Sequence, residues 1–202
     1  MTFVGFGVHG GLPSSSTADA VRTYVDGASA GQTGIGNYIE LLGSVLFLVF
    51  ATFLYTVTRA ANPDRLNWIP ALGLVGAAAY VAVSAVAAAE QQVVVEWAKA
   101  GADTKTVLGA YILDEDAFTL SFELAALFLA AVGVALFNAG RLLRLIGVGA
   151  IVIAAIVFAS GLTGTASIES GIPQIGFLLF DLWTLVAGTY FLIRPPLPGR
   201  GV

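Results

Sequence analysis

The chain has 202 residues, of which 57% are hydrophobic and 11% charged, with a mean hydropathy of +0.88 and a formal net charge of −4. A soluble domain carries about 25% charged residues, so this chain has too little charge to cover a water-soluble globule, and its apolar runs and nine scattered Lys+Arg also exclude disorder and a nucleic-acid partner. With no cysteine and a single histidine, His9, there is no material for disulfides, thiolate catalysis, Cys-ligated zinc or a paired-His haem or copper site, and neither a cofactor nor a metal is expected.

The first 36 residues are read as an extracytoplasmic segment lacking the basic and apolar regions of a signal peptide. GFGVHG at 5–10 matches GxGxxG, but neither the strand nor the helix of a βαβ unit flanks it, so it reads as a Gly-rich segment. STADAVRTYVDGA at 16–28 reads as a short helix capped by Ser16 or Thr17, with Ala20, Val21, Tyr24 and Val25 as an apolar stripe packed on the outer rim of a bundle.

A helix crossing about 30 Å of hydrocarbon needs about 20 apolar residues. Five segments qualify, at about 38–57, 68–89, 117–138, 145–165 and 172–193, within a transmembrane domain spanning 37–194. They lack the alternation of barrel strands, so the expected fold is all-α, a polytopic bundle of five helices. The stretch 90–116 is expected to be a long outer loop broken at Gly101, with Val107, Leu108, Tyr111 and Ile112 on an interfacial helix or a packed surface loop. Asp114, Glu115 and Asp116 are expected to cap the third span.

Basic residues set the orientation. Arg59, Arg65, Arg141, Arg144, Arg194 and Arg200 fall on one side of a five-span chain, and only Arg22, Lys99 and Lys105 on the other. This places the N-terminus outside and the C-terminus, with the tail 195–202, in the cytoplasm of a plasma-membrane protein. The acids agree, with Asp64 alone inside. Trp68, Tyr55 and Tyr190 are the inner aromatic anchors, and Tyr38 and Trp97 the outer ones.

Small residues form ridges at helical spacing: Gly73, Gly76, Tyr80 and Ser84 on the second span, and Ala126, Ala130 and Gly133 on the third. They mark close helix–helix faces, as does SGLTGTAS at 160–167.

Carboxylates within spans are the candidates for function. Glu123 lies about two turns into the third helix, and Asp181 about 13 Å into the fifth, near the midplane. Glu40 and Glu90 sit at the outer ends of the first and second spans, and no Lys, Arg or His lies within any span. An ionised Asp at a helix centre costs about 2.5–3.5 kcal/mol on insertion scales, so both central acids are expected to face inward. Asp181 shares a polar face with Thr184 and Gly188, and Glu123 one with Thr119, Ala126 and Ala130. Glu123 and Asp181 are expected to line one outward-opening cavity, supported by Thr184, Thr119, Tyr80 and Ser84. The competing reading makes these acids neutral hydrogen-bonding ties between helices.

ADAVRTYVDGASAGQTGIGNYIELLGSVLFLVFATFLYTVTRAANPD resembles the start of multi-pass membrane proteins common in actinobacteria. In these a capped helix precedes a span opening with Tyr and closing at Arg. DEDAFTLSFELAALFLAAVGVALFNAGRLLRLIGVGA resembles their paired central helices, with the basic loop at 140–144. That family has no assigned activity, so the resemblance implies a five-span fold and carries over no catalytic residue.

The leading expectation is a non-enzymatic accessory or interaction subunit in the lipid bilayer, oligomeric or bound to a membrane partner through the small-residue ridges. The alternative is a small transporter or channel for a proton, cation or small cationic molecule, using an outward-facing acidic pocket. A third class, an intramembrane enzyme, would need carboxylates alone as acid and base, or a metal held by them.

Overall fold

In a computed structural model of the chain, the described residues are 17–61, 68–137, 140–164 and 172–194. They form six helices: α1 (Ala18–Gly27), α2 (Ala30–Ala61), α3 (Trp68–Lys99), α4 (Thr104–Leu136), α5 (Arg141–Gly164) and α6 (Ile172–Ile193). No strand occurs among the described residues. α2 to α6 are each long and apolar enough to cross a membrane. The Gly-rich 5–10 segment, Arg65 and the tail from 195 lie outside the described residues.

α1 forms as its cap and stripe require. The Thr17 hydroxyl oxygen accepts from the Ala20 N–H at 3.4 Å. Val21 and Val25 are buried against Val94 and Ala98 of α3 and Val107 and Tyr111 of α4, with Tyr24 partly buried beside them. The Arg22–Asp26 pair on the outer face, at 3.2 Å, is exposed and contributes little.

The expected outer loop at 90–116 is helical except for the turn at 100–103. α3 continues ten residues past 89, because its polar residues are good helix formers and its buried stripe does not stop. Gln91, Val94, Val95 and Ala98 recur at helical spacing and are all buried. Gly101 makes the turn at φ +85°, a conformation that favours glycine. The cap of α4 is Asp103, not the expected 114–116 acids. Its Oδ1 accepts from the N–H groups of Lys105 (3.0 Å) and Thr106 (3.2 Å), and its Oδ2 accepts from the Thr106 hydroxyl at 2.6 Å. These bonds, led by the Thr106 hydroxyl, hold the Asp103 carboxyl below its ordinary value. Asp114, Glu115 and Asp116 instead lie inside α4, one apolar stripe further along.

α4 is the central helix. It packs most extensively on α3 and α5, while α2 lies on α3 and α6 on α5. The small-residue ridges are consumed in these crossings. A Cβ on Gly76 would stand 3.0 Å from the Phe128 amide nitrogen, and one on Gly133 or Gly147 would stand 2.7 Å from the other's carbonyl oxygen. Gly176 sits equally tight on the Ser160 hydroxyl, and a Cβ on Gly161 would stand 3.3 Å from the Phe122 Cβ. The ridges thus join helices of this chain to each other.

α2 and α6 are not closely packed along their backbones. They meet through rings: Phe47 on Phe180 at 5.5 Å and Phe53 on Phe191 at 5.3 Å, both edge-to-face. Phe47 also meets Tyr80 and Phe128, which join Phe180 in one aromatic core. Each such pair adds about 0.5–1.5 kcal/mol beyond area burial. Beside the core, the Trp183 indole N–H donates to the Ile146 carbonyl at 3.1 Å, tying α6 to α5.

The two ends of the bundle differ. Arg59, Arg141, Arg144 and Arg194 mark one, where Arg59 bonds the Tyr55 hydroxyl at 2.8 Å and Arg144 bonds the Phe137 carbonyl at 3.0 Å. α1, Asp103 and the ends of α3 and α4 form the other, where Lys99 donates to the Ala28 carbonyl.

Candidate functional site

At the α1 end, α2, α3 and α4 enclose a cavity of about 420 Å³, within the range of about 300–1,000 Å³ usual for small-molecule sites. Asn37, Tyr38, Glu40 and Ser44 of α2, Tyr80, Ser84, Gln91 and Gln92 of α3, and Tyr111, Asp114, Glu115 and Phe118 of α4 line it, with Phe177 of α6. A second cavity of about 660 Å³ lies between α2 and α6, lined by Phe47, Phe50, Phe180, Asp181 and Thr184 among others. Ser44 and Tyr80 line both, so the two spaces adjoin there.

The expected site residues are divided by this geometry. Glu40, Tyr80 and Ser84 line the first cavity, where Tyr80 and Ser84, one turn apart on α3, share a hydrogen bond. Glu90 is partly buried near it, with its Oε2 buried and without a hydrogen-bond partner. Asp181 and Thr184 line the second cavity together, and the Thr184 hydroxyl donates to the Phe180 carbonyl at 3.0 Å. Glu123 and Thr119 line neither. Both lie at the α4–α5 crossing, where a Cβ on Gly161 would meet the Glu123 Cγ at 3.5 Å and the Thr119 carbonyl at 3.6 Å. Glu123 and Asp181 thus share neither of these two cavities, and the α4 carboxylate that joins Glu40 in the first is Asp114. The reason is helical phase: at about 100° per residue, Glu123 stands half a turn round α4 from Asp114, so only one of them can face the cavity.

Asp114 is the residue that sequence reasoning missed. It is only 8% exposed, and among the described residues it has neither a hydrogen bond nor a basic partner. Its charged neighbours are acids: Glu90, Glu115 and Glu40 are all within electrostatic reach. Glu115 accepts from the Tyr111 hydroxyl at 2.6 Å. On the α1 side, the Gln91 amide donates to the Tyr24 hydroxyl at 3.5 Å. Burial, then the Asp114 carboxylate, push the Tyr24 phenol above its ordinary 10.0, against the Gln91 bond. The signal for Asp114 was present as Val107, Tyr111, Asp114, Phe118 and Ser121, a helical stripe that runs unbroken into the buried face of α4.

The orphaned polar atoms gather at the same end. Among the described residues, the buried side-chain atoms without a hydrogen-bond partner are Thr33 Oγ1, Asn37 Oδ1, Glu90 Oε2 and Gln92 Oε1. All four are oxygens, on the first turns of α2 and the last turns of α3. The amide orientations are set by their neighbours, since Asn37 Nδ2 donates to the Ala88 carbonyl at 2.7 Å and Gln92 Nε2 to Glu96 at 2.6 Å. Buried acceptors without donors are costly, and Asn37 and Gln92 both line the cavity. Among the described residues no three His, Cys, Asp or Glu side chains come together to hold a metal ion.

No protein-family model, no curated protein and no solved structure matches the chain. The actinobacterial resemblance thus has no family model behind it. What the structure establishes is an all-α chain with five helices fit to cross a membrane.

Proposed function

We propose that this is a small membrane carrier that binds a cation in the acidic cavity at the α1 end and passes it along α2, α3 and α6 toward Asp181. The observation that supports this reading is Asp114, a buried carboxylate facing a cavity with no donor or cation beside it among the described residues. Buried charges are kept when they are paired or when function needs them. Here the missing partner is positive, and the orphaned oxygens around it are acceptors. Tyr80 and Ser44, shared by both cavities, provide continuity from Asp114 to Asp181. With the arginine-rich end in the cytoplasm of a plasma-membrane protein, the acidic cavity opens outward and collects cations there. The accessory-subunit reading drew on the small-residue ridges, and these are accounted for by packing within the chain.

Uptake of methylammonium, together with proton flux followed by a pH-sensitive dye, tests the proposal in proteoliposomes. The wild-type protein is expected to move one or both above protein-free vesicles. Asp114→Asn is expected to lower that flux at least tenfold, and Asp181→Asn to slow it. Wild-type vesicles indistinguishable from empty ones, or an Asp114→Asn protein as active as wild type, would overturn the reading. Unchanged flux in Asp181→Asn would remove Asp181 from the path.

A further inference from the structure

We infer that the bound species is an organic ammonium ion with an apolar body. Its N–H groups are received by Asn37, Gln92 and Asp114, and its apolar part lies past Tyr80 in the cleft between α2 and α6. This rests on the cation-binding reading above and names the chemical class of its ligand.

The head is specified by the orphaned atoms. Asn37 Oδ1 and Gln92 Oε1 have no donor, and although both atoms are closed to water as the side chains stand, they sit on residues that line the cavity with Asp114, so a rotation of either amide presents its oxygen to a ligand there. Such a set is satisfied by a cation that carries N–H groups. A quaternary ammonium brings the charge without the donors. A divalent metal ion of the calcium type wants about 6–8 oxygen ligands, and no carboxylate cluster of that kind occurs among the described residues.

The body is specified by the second cavity. It adjoins the first at Ser44 and Tyr80, and its walls are largely apolar and aromatic, with Phe47, Phe50 and Phe180 presenting rings. Its mouth is framed by Leu46 and Leu182, both more than half exposed on the face that meets hydrocarbon in a bilayer. α2 and α6 lack close backbone packing there. A proton or a bare ion engages only the carboxylates and does not account for the apolar walls of this space. An amphipathic amine already partitioned into the bilayer reaches it from the side, with its ammonium drawn to the carboxylates and its apolar part on the rings.

The test is calorimetric titration of the full chain in lipid nanodiscs with three probes: 2-phenylethylammonium, its N,N,N-trimethyl derivative and methylammonium. The first is expected to bind at least tenfold more tightly than either of the others. Ser44→Trp, which fills the neck between the cavities, is expected to weaken 2-phenylethylammonium at least tenfold more than it weakens methylammonium. Equal affinity of the trimethyl derivative would overturn the donor requirement, and equal affinity of methylammonium the apolar body. If Ser44→Trp does not fold, Ser44→Cys replaces it. The chain has no other cysteine, and 2-phenylethylammonium is expected to slow its modification by N-ethylmaleimide at least fivefold while methylammonium does not. Absence of that protection would overturn the inference. Methylammonium binding that depends on Asp114, with no gain from the phenyl group, would sink this inference and leave the cation-binding reading standing. No binding of any probe would sink both.

Discussion

Asp114→Leu is expected to raise stability by up to about 1 kcal/mol, by removing a carboxylate crowded by other acids, while abolishing cation binding. The residue is only 8% exposed, its charged neighbours are acids, and no donor reaches its carboxyl among the described residues. Leucine is similar in length, carries no group that needs a partner, and stands beside Phe118 and Tyr111, which line the same cavity. Most core substitutions destabilise, so a gain here marks a residue kept at a cost to the fold, as binding sites often require. Reversible unfolding in mixed micelles reads the stability, and calorimetric titration reads the binding. A less stable Asp114→Leu protein would mean that the carboxylate ties the helices together, which is the structural reading of the intramembrane acids.

The second large effect concerns the α4–α5 crossing. Gly133→Val and Gly147→Val are each expected to lower stability by about 3 kcal/mol or more, at or beyond the usual range of overpacking. A Cβ at either position would meet a backbone carbonyl oxygen at 2.7 Å, and at Gly133 also the Ile151 Cγ1 at 2.7 Å. Backbone cannot rotate away as a side chain can, so the helices must separate, and valine adds two methyl groups to the clash. Gly109→Ala is the control. Nothing stands within 4 Å of a Cβ there, and alanine in place of helical glycine gains up to about 1 kcal/mol. Thermal unfolding in one detergent orders the variants as Gly109→Ala above wild type and both valine variants well below it. Valine variants as stable as wild type would mean that the crossing is looser than its glycines imply.

Much of the architecture is legible in the sequence because bilayer thickness leaves few choices. The apolar runs place all five long helices, and Thr17 with the Val21 and Val25 stripe places α1. The extent of α2, α3 and α4 is less legible. A hydropathy reading ends a helix where polar residues begin, yet Glu90, Gln91 and Gln92 are good helix formers whose neighbours Val94 and Val95 are buried against the rest of the chain. The same truncation hid Asp114. With 90–116 read as loop, three consecutive acids before an apolar run look like a helix cap, and the cap in fact lies at Asp103. Asp181 and Thr184, three residues apart, share a face by local geometry alone, and they line one cavity. The neighbours of Glu123 depend on which helix its face meets. That follows from the crossing of α4 and α5 at Gly161, a tertiary fact that helical spacing does not contain.

The central claim is that the α1-end cavity is wet, negative and selective for positive charge, and the cysteine-free chain allows it to be tested directly. Ala85→Cys puts one thiol on the cavity wall, and Ala82→Cys puts one on the exposed face of α3. Reaction rates with a positively charged and a negatively charged methanethiosulfonate reagent are compared in sealed membrane vesicles. The account predicts that the thiol at position 85 reacts at least tenfold faster with the cationic reagent, that Asp114→Asn reduces this preference, and that the thiol at position 82 is inert to both. Equal rates for the two reagents at position 85, or a preference untouched by Asp114→Asn, would contradict it.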